Sequence, residues 1–226
     1  MLAVGRHTRL PRRYRGMDIW WWLDRIGMLD ATIDQVPDPD RARRAPSLQL
    51  AGRADGGALD LAALAASGVR LAGRLTGIDR HVVQLGADLA DTTARADTRM
   101  RRVLAEIDAY IDASRLTTEV LDREPIAHLR AQSTAGRLDL DAERISTVVW
   151  ATGYRRRYPW LRAPVLDEAG EIRHRRGVTP VPGLYVLGLR FQHRRDSSFI
   201  DGVRHDAEFI ADHLFARGRA RDPLGI

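Results

Sequence analysis

The six residues Ile145 to Trp150, ISTVVW, constrain the fold more than any other part of the chain. Successive side chains in a strand point to opposite faces, so a compact run of apolar and β-branched residues needs cover on both sides. Such a run reads as a buried strand of an α/β sheet. The strand is followed directly by Ala151-Thr152-Gly153-Tyr154. Small residues at Ala151 and Gly153 let the chain pass closely against a neighbouring segment or a cofactor.

The rest of the chain alternates strand and helix signals in the same α/β manner, incompletely. Leu2 to Val4 reads as the end of a buried strand, followed by the basic turn GRHTRLPRRYRG. Asp18 is placed to cap a short helix with Ile19, Trp22, Leu23 and Ile26 on one face and Gly27 at its end. Pro37 to Pro46 reads as a polar loop, and Asp60 as the cap of a helix ending at Gly68. Val69 to Leu75 and His81 to Leu85 are expected as two strands joined by a turn around Gly77 and Asp79. Asp97 is expected to open an amphipathic helix whose stripe is Met100, Val103, Leu104, Ile107 and Ile111. A hairpin around Asp167 to Gly170, a Pro-bounded strand from Gly183 to Leu187 and a last helix from Ser198 to Phe215 complete the expected elements.

Composition narrows the function classes. The chain has 226 residues, room for one or two domains. It has no Cys, which excludes disulfides, Cys-bound zinc and thiol nucleophiles. No apolar run approaches the roughly 18 residues of a membrane helix, and the basic residues near Met1 follow the apolar stretch, the wrong order for a secretory signal. A cytoplasmic protein is expected. The net charge is +6, carried by Arg alone; Lys and Asn are both absent, as a GC-rich genome would produce. Arg alternates with Asp and Glu and no nucleic-acid motif accompanies it, so no nucleic-acid partner is expected.

No two glycines are separated by a single residue, so the G-x-G-x-x-G loop that holds a dinucleotide pyrophosphate occurs nowhere. The P-loop is excluded by the absence of Lys. Against this stand VPGLYVLGLRF and SSFIDGVRHDAEFIADHL, which follow ATGY. They read as a Pro-Gly turn, a strand ending at Gly188, a loop, and a helix opened near Ser197 or Ser198. The free N–H groups at such a helix start favour a negative ligand group.

These segments resemble the C-terminal region of flavin-containing monooxygenases and of the related bacterial group labelled flavoproteins involved in K+ transport. In that family an ATGY-like segment marks the return of the chain from the NADPH domain to the FAD domain, and the strand and helix after it close the FAD domain beside the isoalloxazine ring. The resemblance places Ala151, Thr152, Gly153, Gly188, Ser198, Phe199 and Ile200 near the flavin. AVGRHTRLPRRYRG and IWWWLDRIG resemble the stretch beyond the family's NADPH glycine loop, where basic residues pair with the 2′-phosphate. Arg6 matches best there, with His7 and Arg9 beside it. PSLQLAGR, GVRLAGRLTGID and the helix around Ile107 extend the resemblance over most of the chain.

The resemblance implies an incomplete fold of two dinucleotide-binding (Rossmann-like) domains lacking both N-terminal glycine loops. Residues 1–144 would be a partial NADPH-binding domain and 145–226 the C-terminal part of an FAD-binding domain. The implied function is that of a C-terminal fragment of a flavin-dependent, NADPH-using monooxygenase acting on a small organic substrate. Without the glycine loops, the isolated chain is expected to be inactive. The implied cofactors are FAD and NADPH. The implied partners are a small-molecule substrate and either a complementary N-terminal chain or further copies in a homo-oligomer. The cofactor carries the chemistry, so no catalytic residue is assigned. The alternative is a non-catalytic fragment, or a binding or assembly subunit of such a flavoprotein.

Other constellations have plainer readings. Trp20 to Trp22 reads as core or interface. His205, Glu208 and His213 share a helix but lack the spacing of a metal motif, and no metal ligand is assigned. Asp196, Ser197, Ser198 and His193 lack a G-x-S-x-G elbow, which argues against a hydrolase. Arg155 to Arg157 reads as a solvated loop that could also face a nucleotide phosphate.

Overall fold

The computed structural model of the chain describes residues 1–46, 48–49, 61–126, 128–129, 131 and 136–221. The elements in chain order are β1 (Leu2–Ala3), β2 (Thr8–Arg9), β3 (Arg13–Tyr14), β4 (Met17–Asp18), α1 (Ile19–Arg25), a 3-10 turn (Ile33–Gln35), α2 (Pro39–Arg43), β5 (Leu48–Gln49), α3 (Leu61–Ala66), β6 (Leu71–Ala72), β7 (Leu75–Asp79), β8 (Val82–Leu85), α4 (Leu89–Ala113), β9 (Gly136–Asp139) and α5 (Val203–Arg221). They fall into two compact units. The first comprises Met1–Ile26 and Pro46–Val149, the second Gly27–Ala45 and Trp150–Ile226.

In the first unit β1 pairs in parallel with β6, and β2 in parallel with β5. Val4, just past β1, packs with Leu61 of α3 and Leu89 of α4 in a buried cluster. β3 and β4 form a two-residue hairpin whose loop, Arg15 and Gly16, has φ of 52° and 84°. Positive φ at both loop positions matches the twist of a tight hairpin. Asp18 then caps α1, its carboxylate accepting from the Trp20 N–H at 2.9 Å. The face of α1 formed by Ile19, Trp22 and Leu23 is buried, and Trp22 donates its indole N–H to the Tyr14 carbonyl at 2.7 Å. Gly27 follows with φ 68°, as the helix-ending signal required.

α4 is longer than its apolar stripe suggested. It opens at Leu89, with Asp88 at its N-cap position, so Asp97 lies inside the helix rather than at its start. Thr93 sits in its buried face because its hydroxyl donates to the Leu89 carbonyl at 2.8 Å, hiding a polar group within the helix. Met100, Leu104, Ile107 and Ile111 are buried as the spacing predicted, while Val103 is partly buried.

β7, β8 and β9 form an antiparallel sheet in that order. The expected turn at Gly77 and Asp79 is two residues early: both lie in β7, and the chain reverses at Arg80, φ 52°, and His81. The expected strand Val69 to Leu75 is interrupted after Ala72. A Cβ on Gly73 would sit 1.9 Å from the Gly86 carbonyl oxygen, so the chain crosses there instead of continuing a ladder. The Asp60 cap lies outside the described residues.

The second unit has little regular structure before α5. The hairpin at Asp167 to Gly170 is present, with an Asp167 N–H to Glu171 carbonyl bond and a Leu166–Ile172 bridge. The expected strand Gly183 to Leu187 is reduced to a single bridge, Val178 with Tyr185. α5 begins at Val203, five residues later than expected. The buried strand expected at Ile145 to Trp150 is not formed: Val148, Val149 and Trp150 are 50%, 82% and 61% exposed. An apolar run specifies that it needs cover; it does not specify that these residues supply it.

Candidate functional site

The basic turn after β1 separates its three candidates sharply. Arg6 is exposed, whereas His7 and Arg9 are each 4% exposed. Arg9 lies in β2 and its Nε stands 3.1 Å from Oδ1 of Asp97 on α4. The same carboxylate meets the exposed His128 ring, Nδ1 to Oδ2 at 3.4 Å. His7 Nδ1 is 3.2 Å from the Gly5 carbonyl oxygen, and the Arg99 guanidinium donates to the His7 carbonyl at 3.4 Å. His7 and Arg9 thus hold the turn, and Arg6 is the member presented to solvent. A planar guanidinium in that position is suited to bidentate pairing with a phosphate.

The other candidates lie in the second unit. Ala151, Thr152 and Gly153 are exposed, and Gly153 has φ 84°. Gly188 is exposed with φ 78°, and Ser198, Phe199 and Ile200 are exposed too, Ile200 almost completely. A Cβ at Gly153 or Gly188 would meet nothing within 4 Å, so the left-handed backbone demands these glycines and the space above them is open.

Ser197, not Ser198, organises the loop before α5. Its buried Oγ accepts from the His193 and Arg194 N–H groups at 3.1 and 2.9 Å. The Arg194 guanidinium reaches Asp196, Nε to Oδ1 at 3.2 Å, and also pairs with Asp30. Phe199 donates its N–H to the Asp196 carbonyl at 2.7 Å, turning the chain toward α5. With α5 opening at Val203, the exposed Ser198 is not the helix cap that the sequence suggested.

Sequence reasoning missed the polar interior of this unit. Gln192 is 1% exposed, and its side-chain carbonyl accepts from the Leu189 N–H at 3.2 Å. Asp206, in the first turn of α5, is also 1% exposed, with no hydrogen bond to either carboxylate oxygen among the described residues. Burial holds His174 and His193 below the usual imidazole range; nearby Arg43 adds to this at His174 and Arg176 at His193, while Asp206 opposes it at both. No local pattern announces this cluster, since its members come from separate turns. His213, to which no metal role was assigned, meets the Tyr185 hydroxyl, with Nδ1 and Oη 3.1 Å apart. Among the described residues no group of three or more His, Cys, Asp or Glu is placed to hold a metal ion, and no helix is long and apolar enough to cross a membrane.

Comparison with known proteins gives the family context. No family model and no solved structure matches the chain. The chain is 47% identical over 215 residues, 94% of its length, to a Geobacillus kaustophilus protein named uncharacterized oxidoreductase CzcO-like, of which the match covers 45%. It is 43% identical over 77 residues to uncharacterized oxidoreductase CzcO of Bacillus subtilis and 42% identical over 77 residues to the protein of that name in Bacillus velezensis, covering 22% of each. The chain therefore spans less than half the length of the relatives it matches. These likenesses support an oxidoreductase family for this chain.

Proposed function

We propose that the chain is part of a flavin-dependent oxidoreductase of the monooxygenase type that draws electrons from NADPH. The observation that carries this reading is the exposure of Arg6 while the two candidates beside it, His7 and Arg9, are buried. On this reading Arg6 binds the 2′-phosphate of NADPH, and Arg9, held by Asp97, fixes the turn that presents it. The open space above Gly153 and Gly188 lets a planar ring approach the backbone of the second unit. Ser198, Phe199 and Ile200 border that ring, and Ala151 and Thr152 lie beside it. FAD, when bound, supplies hydride acceptance and the reaction with O2 at a small organic substrate. The side chains of this chain bind and orient the cofactors and exclude water; none of them needs to transfer a proton.

The phosphate contact is tested by calorimetric titration with 2′,5′-ADP and with 5′-AMP. The reading expects 2′,5′-ADP to bind more tightly, with an advantage of about tenfold, and Arg6→Ala to remove that advantage. Equal affinities in the native chain would overturn it.

A second reading is a non-catalytic fragment, or a binding or assembly subunit of such a flavoprotein. That reading expects neither flavin colour nor NADPH oxidation under any condition.

A further inference from the structure

We propose that His174 and His193 form an acid-operated latch within the second unit, which at neutral pH closes the loop 188–199 against the segment 27–45 and on acidification releases it. Two backbone bonds tie the loop to that segment. The Ile33 N–H donates to the His193 carbonyl at 2.7 Å, and the Arg195 N–H to the Ala31 carbonyl at 3.0 Å. The imidazoles stand on either side of the loop's buried Gln192. The His193 ring belongs to the loop itself, and its side chain is 14% exposed. The His174 ring accepts from the Gly177 N–H through Nδ1 at 3.3 Å. Gly177 is the turn against which the loop packs, since a Cβ there would lie 2.6 Å from Gln192 Nε2.

Both rings are placed for their neutral form. The Gly177 bond needs a bare Nδ1 on His174, and a proton there sets N–H against N–H and breaks it. A protonated His193 needs an acceptor for a charge held largely out of water. The buried Asp206 carboxylate does not supply one, because neither oxygen has a hydrogen-bond partner among the described residues. Asp34 lies 3.7 Å from His193 Nε2, but its side chain is 69% exposed, so water screens its charge. Burial is the largest influence on each ring and opposes the charged form. Arg43 adds to that at His174, and Arg176 and Arg194 add to it at His193. Asp206 favours the proton on both rings, and Asp34 favours it on His193. The rings therefore take up protons more readily in solvent than in place, and the outward move of His193 pulls its carbonyl from Ile33. Closure is favoured above pH 6.5 and is lost as pH falls through the lowered folded values. The latch rests on these side chains and not on the flavin reading.

The test is amide hydrogen exchange of the full chain as a function of pH, with each rate divided by the intrinsic rate at the same pH. Protection at Ile33 and Arg195 should fall by about tenfold or more between about pH 7.5 and about pH 5, and return at neutral pH. Protection at Phe209 and Ile210, inside α5, should persist over that range. His174→Gln and His193→Gln should each flatten the fall, from the uptake of about two protons to about one. Asp206→Asn should move the fall to lower pH, because it removes a charge that favours the proton. Asp34→Asn changes an exposed side chain and so leaves the fold intact; it should move the fall the same way by less. Constant protection at Ile33 and Arg195 would overturn the latch. So would loss of protection in α5 at the same pH, which is unfolding of the whole unit. A pH dependence that neither histidine variant flattens, or a shift to higher pH in Asp34→Asn, would also overturn it.

Discussion

Arg9 on β2 and Asp97 in the middle of α4 form a nearly dry ion pair, Nε to Oδ1 3.1 Å, with side chains 3% and 11% exposed. The pair joins the turn that carries Arg6 to α4, the longest helix among the described residues. Breaking a buried pair leaves one uncompensated charge, which costs about 3–5 kcal/mol. Arg9→Met and Asp97→Leu should therefore each destabilise strongly in urea unfolding, while the double variant should recover most of the loss. Arg6→Ala, on the exposed side of the same turn, should change stability by less than about 0.5 kcal/mol. A double variant as unstable as the two single variants combined would show that the pair does not act as a unit.

Two glycines with the same backbone conformation should respond differently to Ala. Gly177 and Gly153 have φ of 88° and 84°, so each substitution carries strain of about 1–2 kcal/mol. At Gly177 the added methyl also meets the Val186 carbonyl oxygen at 2.5 Å, Gln192 Nε2 at 2.6 Å and Ile210 Cδ1 at 2.7 Å. Gly177→Ala should unfold the second unit or lower its melting temperature sharply. Gly153→Ala should show the backbone strain alone, read by calorimetry.

The two units should lose stability at opposite ends of the pH scale. Burial lowers the pKa of His174 and His193 below the ordinary imidazole value of 6.5. The unfolded state then binds protons more readily, so this stability is present above pH 6.5 and is lost as pH falls through the lowered folded values. Tyr14 behaves inversely. Burial, together with the hydrogen bond its hydroxyl donates to Asp108 at 2.7 Å, pushes it from 10.0 up to about 12. Its contribution is intact below pH 10 and is lost as pH rises through about 12. Urea unfolding as a function of pH should show the acid loss, which His174→Phe and His193→Phe should reduce. Ultraviolet phenolate titration should find one tyrosine ionising late, and Tyr14→Phe should remove it.

The Asp18 cap offers a smaller test. Asp18→Ala removes the acceptor of the Trp20 N–H, and also the partner of Arg12, whose Nη2 lies 2.6 Å from Oδ2. The expected loss is about 1 kcal/mol in urea unfolding.

What the sequence revealed depended on how local each signal was. Asp18, Trp22 and Gly27 delimit α1 because cap, buried face and terminator lie within ten positions. The true start of α4 was hidden because Asp91, Thr92 and Thr93 break its apolar rhythm; the spacing of Leu89, Ala96 and Met100, all buried, was the signal that could have found it. The start of α5 was misread because Ser197 looks like a helix cap but organises the loop before it. The turn at Arg80 was missed because Gly77 looked like the better turn former. Arg6, His7 and Arg9 were legible as a basic turn, but not their division into one exposed and two buried groups. That division depends on Asp97, 88 positions from Arg9 and without local trace. ISTVVW was legible as an apolar run that needs cover, but the buried strand expected there is not formed, because the described residues do not provide that cover.

The flavin reading is tested most directly by mixing the chain with FAD and NADPH, with and without the polypeptide covering the unmatched part of the Geobacillus relative. Loss of the flavin's visible absorbance and consumption of NADPH are followed together. The account predicts reduction in the presence of that polypeptide, slowed for NADPH by Arg6→Ala while the rate with NADH is unchanged. A protein that takes up no flavin and oxidises no NADPH in either mixture would contradict it.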